Sequence, residues 1–370
     1  MYPIMERRLT RRKFLGRLGA GGAALGIAPG LLGEASGGSS RKIGIALCGL
    51  GNYSTGQLGP ALRQTRHCYL AGVITGDAAK GRRWARNYDF PESSVYHYDT
   101  MERLADNPEI DVVYSVTPPG LHMRDTLRGL AAGKHVISEK PMAISVEQCD
   151  RMIAAAKAAG KQLSMGYRCH FHPYHEKVKR LGREEDWGPF ETMSGGFGYR
   201  LSVPSWRQTQ ALGGGGQLMN VGIYVIQSAC MAKGGEVPVA VRAEEPPKKR
   251  PNFFKEVEET LYFTLEFADG TTCRGETSGE LYSNRFRAEA PRGWLELNPA
   301  FSYGGLQMRT HEGEVQALRG FNQQAAQMDA FALSLLEGRP DIVPGKMGRR
   351  DMQVIEAIYR AAKSGKREAV

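Results

Sequence analysis

The stretch that most constrains the fold is IGIALCGLGNYS, residues 43–54, in which an apolar run ends at a Gly-x-Gly turn. The apolar run predicts a buried strand, and residues 55–64 after the turn predict a helix. Gly49 and Gly51 permit a tight turn and let backbone N–H groups at the helix start approach a pyrophosphate. The third position of this fingerprint is Ser54 instead of glycine. The strand–turn–helix context nevertheless favours a dinucleotide-binding loop over an ordinary turn.

Strand and helix patterns continue to alternate over the next hundred residues. The predicted strands are 43–48, 69–75, 111–116 and 136–139, and the predicted helices are 55–64, 78–88, 122–132 and 146–159. Ser145 and Gln148 stand in capping-box spacing at the start of the last helix. Alternation at this spacing is typical of a parallel, doubly wound sheet. We therefore expect an N-terminal Rossmann domain over residues 41–165.

The pattern changes after residue 167. The segment TLYFTLEFADGTT alternates apolar and polar residues and then turns at Asp269-Gly270, as an antiparallel strand does before a hairpin. Two helices are predicted around 321–337 and 349–364. The second half, residues 166–370, is thus expected to be an α+β domain with an open antiparallel sheet and helices, and to bind the substrate and a neighbouring subunit.

The end of the second predicted strand bears on the choice of nucleotide. An enzyme that uses NAD usually places Asp or Glu there to bind the ribose 2′-hydroxyl, and such a carboxylate would repel a 2′-phosphate. Here the strand ends in Thr75, and Lys80, Arg82 and Arg83 follow closely. This favours NADP, although Asp77 is near enough to leave NAD open, and the basic residues would also suit the exposed face of a helix.

A second chemical motif is HVISEKPMA, in which Lys140 follows the carboxyl end of a predicted parallel strand. That edge is where α/β proteins place their ligands. A lysine near an oxidised nicotinamide would have its ammonium destabilised, which lowers its pKa and suits it to proton transfer. Taken alone, a Glu-Lys-Pro tripeptide is most often a loop.

Charge and cysteine content exclude several functions. The 49 Lys and Arg residues exceed the 39 Asp and Glu residues, but they form no dense basic stripe interleaved with aromatics, so no nucleic-acid partner is expected. The six cysteines show no metal-ligand spacing, and no metal is expected. We expect them to be buried, reduced thiols.

The amino terminus has the pattern of an export signal. Arg11 and Arg12 precede a short, glycine-interrupted apolar run that is too short for a membrane span. Residues 1–35 are therefore predicted to be a cleaved twin-arginine (Tat) signal peptide, with a disordered basic tail as the alternative. This predicts a periplasmic or secreted protein without a membrane partner, folded before export around its cofactor.

Several segments together resemble a known family. GLGNYS, TPPGLH, AGKHVISEKPMA, GYRCHFHPY, SWRQTQALGGGGQLMNVGIY and DMQVIEAIYRAAKSGK occur in the order and spacing of the Gfo/Idh/MocA oxidoreductases. Within that family the chain is similar to the exported glucose-fructose oxidoreductases, which hold NADP tightly. The resemblance extends from residue 41 to residue 367.

The resemblance implies a set of site residues. For cofactor binding it implies Gly49, Gly51, Tyr53, Thr75, Lys80, Thr117, Pro118, His122, Glu139, Lys140, Arg168, Trp206 and Arg207. Thr117, Pro118 and His122 would lie near the nicotinamide ribose. Lys140 would be the catalytic lysine with Arg168 beside it, and Tyr224 would be the acid/base.

Physical reasoning supports this catalytic set. Asn220 and Tyr224 are four residues apart in a predicted helix and so share a face. A neighbouring Lys140 would stabilise the phenolate of Tyr224, and the pair could remove the proton of a sugar hydroxyl. Where the family typically has Asp, this chain has Asn220, which cannot act as a base but can orient a hydroxyl. Tyr224 as a plain core or rim tyrosine is the alternative.

The implied activity is hydride transfer between sugars and bound NADP: one aldose is oxidised to a lactone and a second sugar is reduced to a polyol. Two alternatives are an NAD-dependent glycosidase and a non-catalytic sugar sensor. A homo-oligomer, dimer or tetramer, is expected. The choice of sugar would depend on side chains such as His172, Arg200 and Arg207.

Overall fold

The computed structural model describes residues 41–316 and 320–370. The predicted signal segment, residues 1–35, lies outside these residues. None of the helices in the described ranges combines the length and the apolarity needed to cross a membrane.

Six parallel strands form the first sheet: β1 (Ile43–Cys48), β2 (Cys68–Ile74), β3 (Val95–Tyr96), β4 (Val112–Ser115), β5 (His135–Ser138) and β6 (Leu163–Met165). The helices associated with them are α1 (Gly59–Leu62), α2 (Ala78–Tyr88), α3 (Pro119–Ala131) and α4 (Val146–Ala158). The strand order β3-β2-β1-β4-β5-β6 changes direction between β1 and β4, as in doubly wound dinucleotide-binding sheets. The predicted Rossmann fold is confirmed.

Local chemistry determines where these helices begin. The side chain of Asp77 accepts a hydrogen bond from the Lys80 N–H and caps α2, and Ser145 accepts one from Gln148 N–H and caps α4. The helix after the glycine turn differs from its prediction, because a π-helical turn, Ser54–Leu58, precedes the short α1. Single π turns are frequent at functional sites.

The second half builds a nine-stranded sheet. Its elements are α5 (Pro173–Glu184), β7 (Thr192–Gly198), α6 (Gln210–Gly213), α7 (Ile223–Ala232), β8 (Ala240–Glu244), β9 (Thr260–Glu266), β10 (Thr272–Ser278), β11 (Ser283–Ala290), β12 (Gly293–Leu297), β13 (Met308–Thr310), β14 (Gly313–Glu314), α8 (Gln323–Leu336), α9 (Gly345–Ser364) and β15 (Glu368–Ala369). The strand order is β14-β13-β12-β11-β7-β10-β9-β8-β15. Neighbouring strands are antiparallel except for β7 and β10, which are parallel. The predicted antiparallel sheet with helices is confirmed, with this one parallel pair.

The predicted alternation in β9 is observed: Leu261, Phe263 and Leu265 are buried, and Tyr262 is 40 % exposed. Helix α7 is different, since all of its residues except Tyr224 are buried. A helix that is apolar on nearly every side lies inside the core. Tyr224 is the one residue of α7 that is only partly buried. All six cysteines are buried and free, as expected.

Helix α8 returns to the first sheet. Met328, Phe331 and Ala332 pack in one apolar cluster with Leu58 and Leu70 of the nucleotide-binding half. The carboxyl-terminal part of the chain therefore also supports the region around the glycine turn.

Candidate active site

A cleft of about 420 Å³ lies where the carboxyl ends of β4 and β5 meet α7 and the end of the second sheet. Ten of the residues predicted from the sequence line it: Tyr53, Thr117, His122, Glu139, Lys140, Arg168, Trp206, Arg207, Asn220 and Tyr224. The others, Gly49, Gly51, Thr75, Lys80 and Pro118, are not among the lining residues. Gly49, Gly51 and Thr75 follow the ends of β1 and β2, Lys80 lies in the first turn of α2, and Pro118 lies just after β4.

The glycine turn after β1 fits a pyrophosphate. Gly49 has a φ of 99°, which favours glycine, and an added Cβ would lie 3.1 Å from the Thr117 methyl carbon. Beside Gly51, an added Cβ would meet no atom within 4 Å, so the backbone there borders open space. The hydroxyl of Ser54 donates a 2.6 Å hydrogen bond to the Gly49 carbonyl, which explains how serine serves at the third position of the fingerprint. The first N–H groups of a helix are available to bind phosphate oxygens.

At the end of β2, Thr75 is buried and its hydroxyl accepts a hydrogen bond from the Asp77 N–H. The Lys80 ammonium donates to the carbonyl of Leu50 in the glycine turn. The carboxylate of Asp77 caps α2, and the hydrogen bond from the Lys80 N–H lowers its pKa. This end of the site therefore combines a lysine that reaches the phosphate loop with a carboxylate already engaged by its own helix.

Glu139 is held by buried hydrogen bonds. Its carboxylate accepts a 2.7 Å bond from the Tyr114 hydroxyl and a 3.1 Å bond from the Lys140 N–H. The Tyr114 hydroxyl in turn accepts one from Gln327 of α8. Burial raises the pKa of Glu139, and the charge of Lys140 opposes that rise. Glu139 therefore acts on Lys140 as a fixed neighbouring carboxylate.

Lys140 has the chemistry of a group that titrates near neutral pH. Its ammonium donates a 2.7 Å hydrogen bond to the carbonyl of Asn220 and lies 4.9 Å from the ring centre of Tyr224. Burial lowers its pKa to about 8; Glu139 opposes this, while Arg207 and Arg168 add to it. Neutral Lys140 can accept a proton, and its ammonium can return one.

The electrostatics of Tyr224 differ from the expectation. Burial raises the pKa of its phenol, and the opposing cation is Arg168, whose guanidinium lies 5.0 Å from the ring centre. The structure therefore gives no support to the idea that Lys140 makes Tyr224 an easily ionised acid. A phenol with a raised pKa stays protonated, so it can donate a hydrogen bond to a substrate oxygen.

Asn220 lies in a π-helical turn, Leu218–Gly222, directly before α7. Its side-chain amide donates to the Tyr199 hydroxyl at 3.0 Å and to the side-chain oxygen of Gln217 at 2.7 Å. Its side-chain oxygen accepts from Arg207 at 3.3 Å. Asn220 thus contacts Lys140 through its backbone and Arg207 through its side chain. The buried Gln217 also donates to the carbonyl of Ser278, which fixes the orientation of this amide pair.

A buried carboxylate secures the start of the same turn. Glu258 accepts hydrogen bonds from the N–H groups of Gly216 (2.8 Å) and Leu218 (2.9 Å) and from the hydroxyl of Tyr359 (3.0 Å). An anion at a helix N-terminus satisfies donors that have no partner within the helix and interacts favourably with the helix dipole. Glu258 therefore positions the backbone that carries Asn220 and Tyr224.

Arg168 is a fixed cation. It is 2 % exposed and donates to the carbonyls of Phe301 and Ser302 and to the side chain of Gln323. Its guanidinium lies between the rings of Tyr224 and Tyr303, 5.0 and 4.7 Å from their centres. Such contacts are favourable cation–π interactions.

Two predicted ribose contacts are already engaged within the protein. The ring nitrogens of His122 lie 2.9 Å from the carbonyl oxygen of Pro141 and 2.7 Å from that of Thr117. The Thr117 hydroxyl donates to the buried Asp125 at 2.6 Å. His122 therefore joins the loops after β4 and β5.

Sequence reasoning missed Tyr199, Gln217, Glu258 and Tyr303. Gln217 lies within the segment SWRQTQALGGGGQLMNVGIY but was not singled out there, and the other three stand in none of the quoted motifs. Of the residues named for sugar choice, Arg207 lines the cleft, but His172 and Arg200 are not among the lining residues. His172 is buried and caps α5, and Arg200 pairs with Glu280.

Comparisons with known proteins agree with this geometry. An aldose-aldose oxidoreductase structure from Caulobacter crescentus, complexed with glycerol, is 40 % identical, with a TM-score of 0.86 over 89 % of this chain and 100 % of that one. The NADP+-dependent D-xylose 1-dehydrogenase of Haloarcula marismortui is 25 % identical over 88 % of this chain and 92 % of its own length. The trans-1,2-dihydrobenzene-1,2-diol dehydrogenase of Sus scrofa is 31 % identical over 49 % of this chain, and the match spans about half, 52 %, of that relative.

Two family matches cover most of the described chain. Residues 43–167 match the Gfo/Idh/MocA oxidoreductase family, NAD-binding Rossmann fold, and residues 175–296 match the Gfo/Idh/MocA C-terminal domain. The predicted resemblance and the prediction of an oxidoreductase with a nicotinamide cofactor are confirmed. The chain belongs to the Gfo/Idh/MocA oxidoreductase family.

Proposed function

We propose that this protein is an exported, NADP-dependent sugar oxidoreductase that oxidises an aldose to a lactone and reduces a second sugar to a polyol on the same tightly held nucleotide. The observation that carries the proposal is the arrangement of Lys140, Asn220 and Tyr224 at the carboxyl ends of the parallel strands, in one cleft with Tyr53 of the nucleotide loop. The 40 % identical aldose-aldose oxidoreductase supports the substrate class.

In the first half-reaction, each of the cleft residues Lys140, Asn220 and Tyr224 has a separate role. Bound NADP+ supplies the hydride acceptor. Neutral Lys140 takes the proton from the anomeric hydroxyl as the hydride leaves the same carbon, and the lactone C=O forms. The Asn220 carbonyl, 2.7 Å from the Lys140 nitrogen, stabilises the ammonium that results. The Tyr224 hydroxyl orients the reacting oxygen. In the second half-reaction the Lys140 ammonium returns the proton to the carbonyl oxygen of the other sugar.

NADP is the cofactor that best fits the end of β2. Thr75 replaces the carboxylate that would repel a 2′-phosphate, and Lys80 already reaches the glycine turn. Asp77 is engaged as the cap of α2, which reduces its availability to a ribose hydroxyl. The name of the xylose dehydrogenase also specifies NADP+.

The export proposal rests on Arg11 and Arg12 and the apolar run that follows them. An exported enzyme has no cytoplasmic pool of nucleotide, so a cycle between two sugars would regenerate the cofactor in place. Folding around NADP before export is consistent with the twin-arginine pattern. We also propose a homo-oligomer, dimer or tetramer, formed through the second domain.

The test begins with protein purified from the periplasm or culture medium. Denaturation should release NADP(H) in near-stoichiometric amount, and glucose or xylose should reduce the nucleotide while it remains bound. A second sugar, such as fructose, should then reoxidise it. Recovery of NAD alone, or no spectral change with any aldose, would contradict the proposal. Hydrolysis of a chromogenic glycoside would favour a glycosidase instead.

A further inference from the structure

The cleft carries more positive than negative charge. Lys140, Arg168 and Arg207 line it, and Glu139 is the one carboxylate among its described lining residues. In the described part of the chain, none of these three cations lies within ion-pair distance of a carboxylate side chain. The terminal nitrogens of Arg168 donate to the carbonyls of Phe301 and Ser302 and to Gln323, and its Nε, which has no hydrogen-bond partner in the described part of the chain, is buried. Arg207 is different.

Arg207 presents an unused hydrogen-bonding surface. Its Nε donates to the Asn220 side-chain oxygen at 3.3 Å, and its guanidinium lies 4.2 Å from the ring centre of Trp206. Its two terminal nitrogens have no hydrogen-bond partner among residues 41–316 and 320–370. A guanidinium held by a stacked ring, with its terminal nitrogens open, is suited to bidentate binding of a carboxylate.

The neighbouring amide does not neutralise this cation. Asn220 is neutral, and it is oriented by the buried Gln217 so that its oxygen faces Arg207. An oxidised nicotinamide ring beside Lys140 would add another positive charge to the cleft. A negatively charged substrate would offset that charge where a neutral sugar would not.

Resting on the proposed function, we propose that the preferred substrate of this cleft is an aldose that bears a carboxylate, a uronic acid, with Arg207 binding the carboxylate. Asn220 contacts Lys140 through its backbone carbonyl and Arg207 through its side chain, so one residue links the two basic side chains. In the proposed complex, the anomeric carbon of the pyranose lies at Lys140 and its C6 carboxylate lies at Arg207. The hydride and proton leave C1 as before, and the carboxylate is unchanged.

The test compares glucuronate, glucose and glucuronamide, which differ at C6 in charge and hydrogen bonding. The kcat/KM for glucuronate should exceed that for glucose by roughly tenfold or more, which is the effect expected of a hydrogen bond to a charged group. This preference should decrease as salt is added, because salt screens the attraction between charges. Glucuronamide should react no better than glucose. The substitution Arg207→Gln should bring the ratio of kcat/KM for glucuronate to that for glucose close to one.

Two further variants and one binding measurement complete the test. Arg242→Gln removes an exposed arginine that pairs with Glu266 and does not line the cleft, so the ratio should stay as in wild type. Asn220→Asp places a carboxylate beside Arg207 and should lower the ratio. The NADP dissociation constant of Arg207→Gln, measured by nucleotide fluorescence, should remain within a few-fold of wild type. A large loss of NADP affinity would instead assign Arg207 to the cofactor phosphates.

The outcomes separate the two proposals. If glucose reduces the bound nucleotide as efficiently as glucuronate does, the uronate proposal is wrong and the oxidoreductase proposal stands. If neither sugar nor any other aldose reduces it, the proposed function fails and the uronate proposal fails with it.

Discussion

Next to the wall of the cleft formed by the first sheet, backbone groups make the glycine turn that fits the nucleotide. On the wall formed by α7 and the second sheet, the reactive groups are held by side chains that bind one another. Gly49 and Gly51 act through their lack of a side chain, whereas Asn220 depends on Gln217, Tyr199 and Arg207. The first wall is therefore specified by local sequence, and the second by contacts between distant segments.

Lys140 stands between the two walls, since it follows β5 of the first sheet and donates to Asn220 of the second half. Its substitution should have the largest effect. Lys140→Met removes the proton acceptor while keeping much of the side-chain volume, so the rate of NADP reduction should fall by roughly a hundred- to ten-thousandfold. Single-turnover stopped-flow absorbance measures this rate. Lys157→Met, at an exposed position of α4, is the matched control and should react as wild type. A loss of less than tenfold would argue against Lys140 as the base.

A methyl group added at Gly51 tests the backbone-built wall. An added Cβ meets nothing within 4 Å in the protein, so Gly51→Ala should keep the unfolding temperature of wild type. The same methyl would occupy space beside the phosphate loop, so NADP affinity should fall by roughly ten- to two-hundredfold. Thermal unfolding without added nucleotide and a fluorescence titration with NADP make the two measurements. Unchanged affinity would show that the pyrophosphate does not approach Gly51.

Removing a charge tests the wall built from side chains. Glu258→Gln places an amide against the N–H groups of Gly216 and Leu218 and loses the anion at the helix start. The variant should lose about 1–3 kcal/mol of unfolding free energy, and kcat should fall several-fold while NADP affinity stays constant. Denaturant unfolding and steady-state kinetics check these values, with Glu244→Gln on the exposed side of β8 as control. Equal loss of NADP affinity and kcat would contradict a role confined to the second wall.

The same contrast explains what could be predicted from the sequence. The alternation that predicts the first sheet is local, and β1, β2, β4, β5, α2 and α4 lie within one or two residues of their predicted bounds, whereas the short strands β3 and β6 were not predicted. Strand β7 has the sequence TMSGGFG and shows no alternation, yet it lies at the centre of the second sheet. The position of β7 in the sheet depends on close packing between residues that are distant in the sequence. In the adjacent β10, a Cβ on Gly275 would lie 2.1 Å from the Phe263 ring.

The candidate site divides in a similar way. Lys140, Asn220 and Tyr224 stand in motifs, and the structure brings them together in one cleft. The roles of Gln217, inside a quoted motif, and of Glu258, outside the motifs, could not be predicted, because a buried polar residue acts through partners that only the fold brings to it. The separate roles of Lys140 and Tyr224 could be assigned only from the structure. Burial raises the pKa of Tyr224 and lowers that of Lys140, and burial cannot be read from the spacing of residues in the sequence.

The central claim is that Lys140, with a pKa lowered to about 8 by burial, takes the proton and that Tyr224 orients the substrate oxygen. The direct test is the single-turnover rate of NADP reduction as a function of pH, in wild type and in Tyr224→Phe. The neutral fraction of Lys140 grows as pH rises, so the wild-type rate should increase through about pH 8 and then level off. Tyr224→Phe should keep the same profile at a rate about tenfold lower. A profile that disappears in Tyr224→Phe, with a loss as large as that of Lys140→Met, would contradict the account and make Tyr224 the proton carrier.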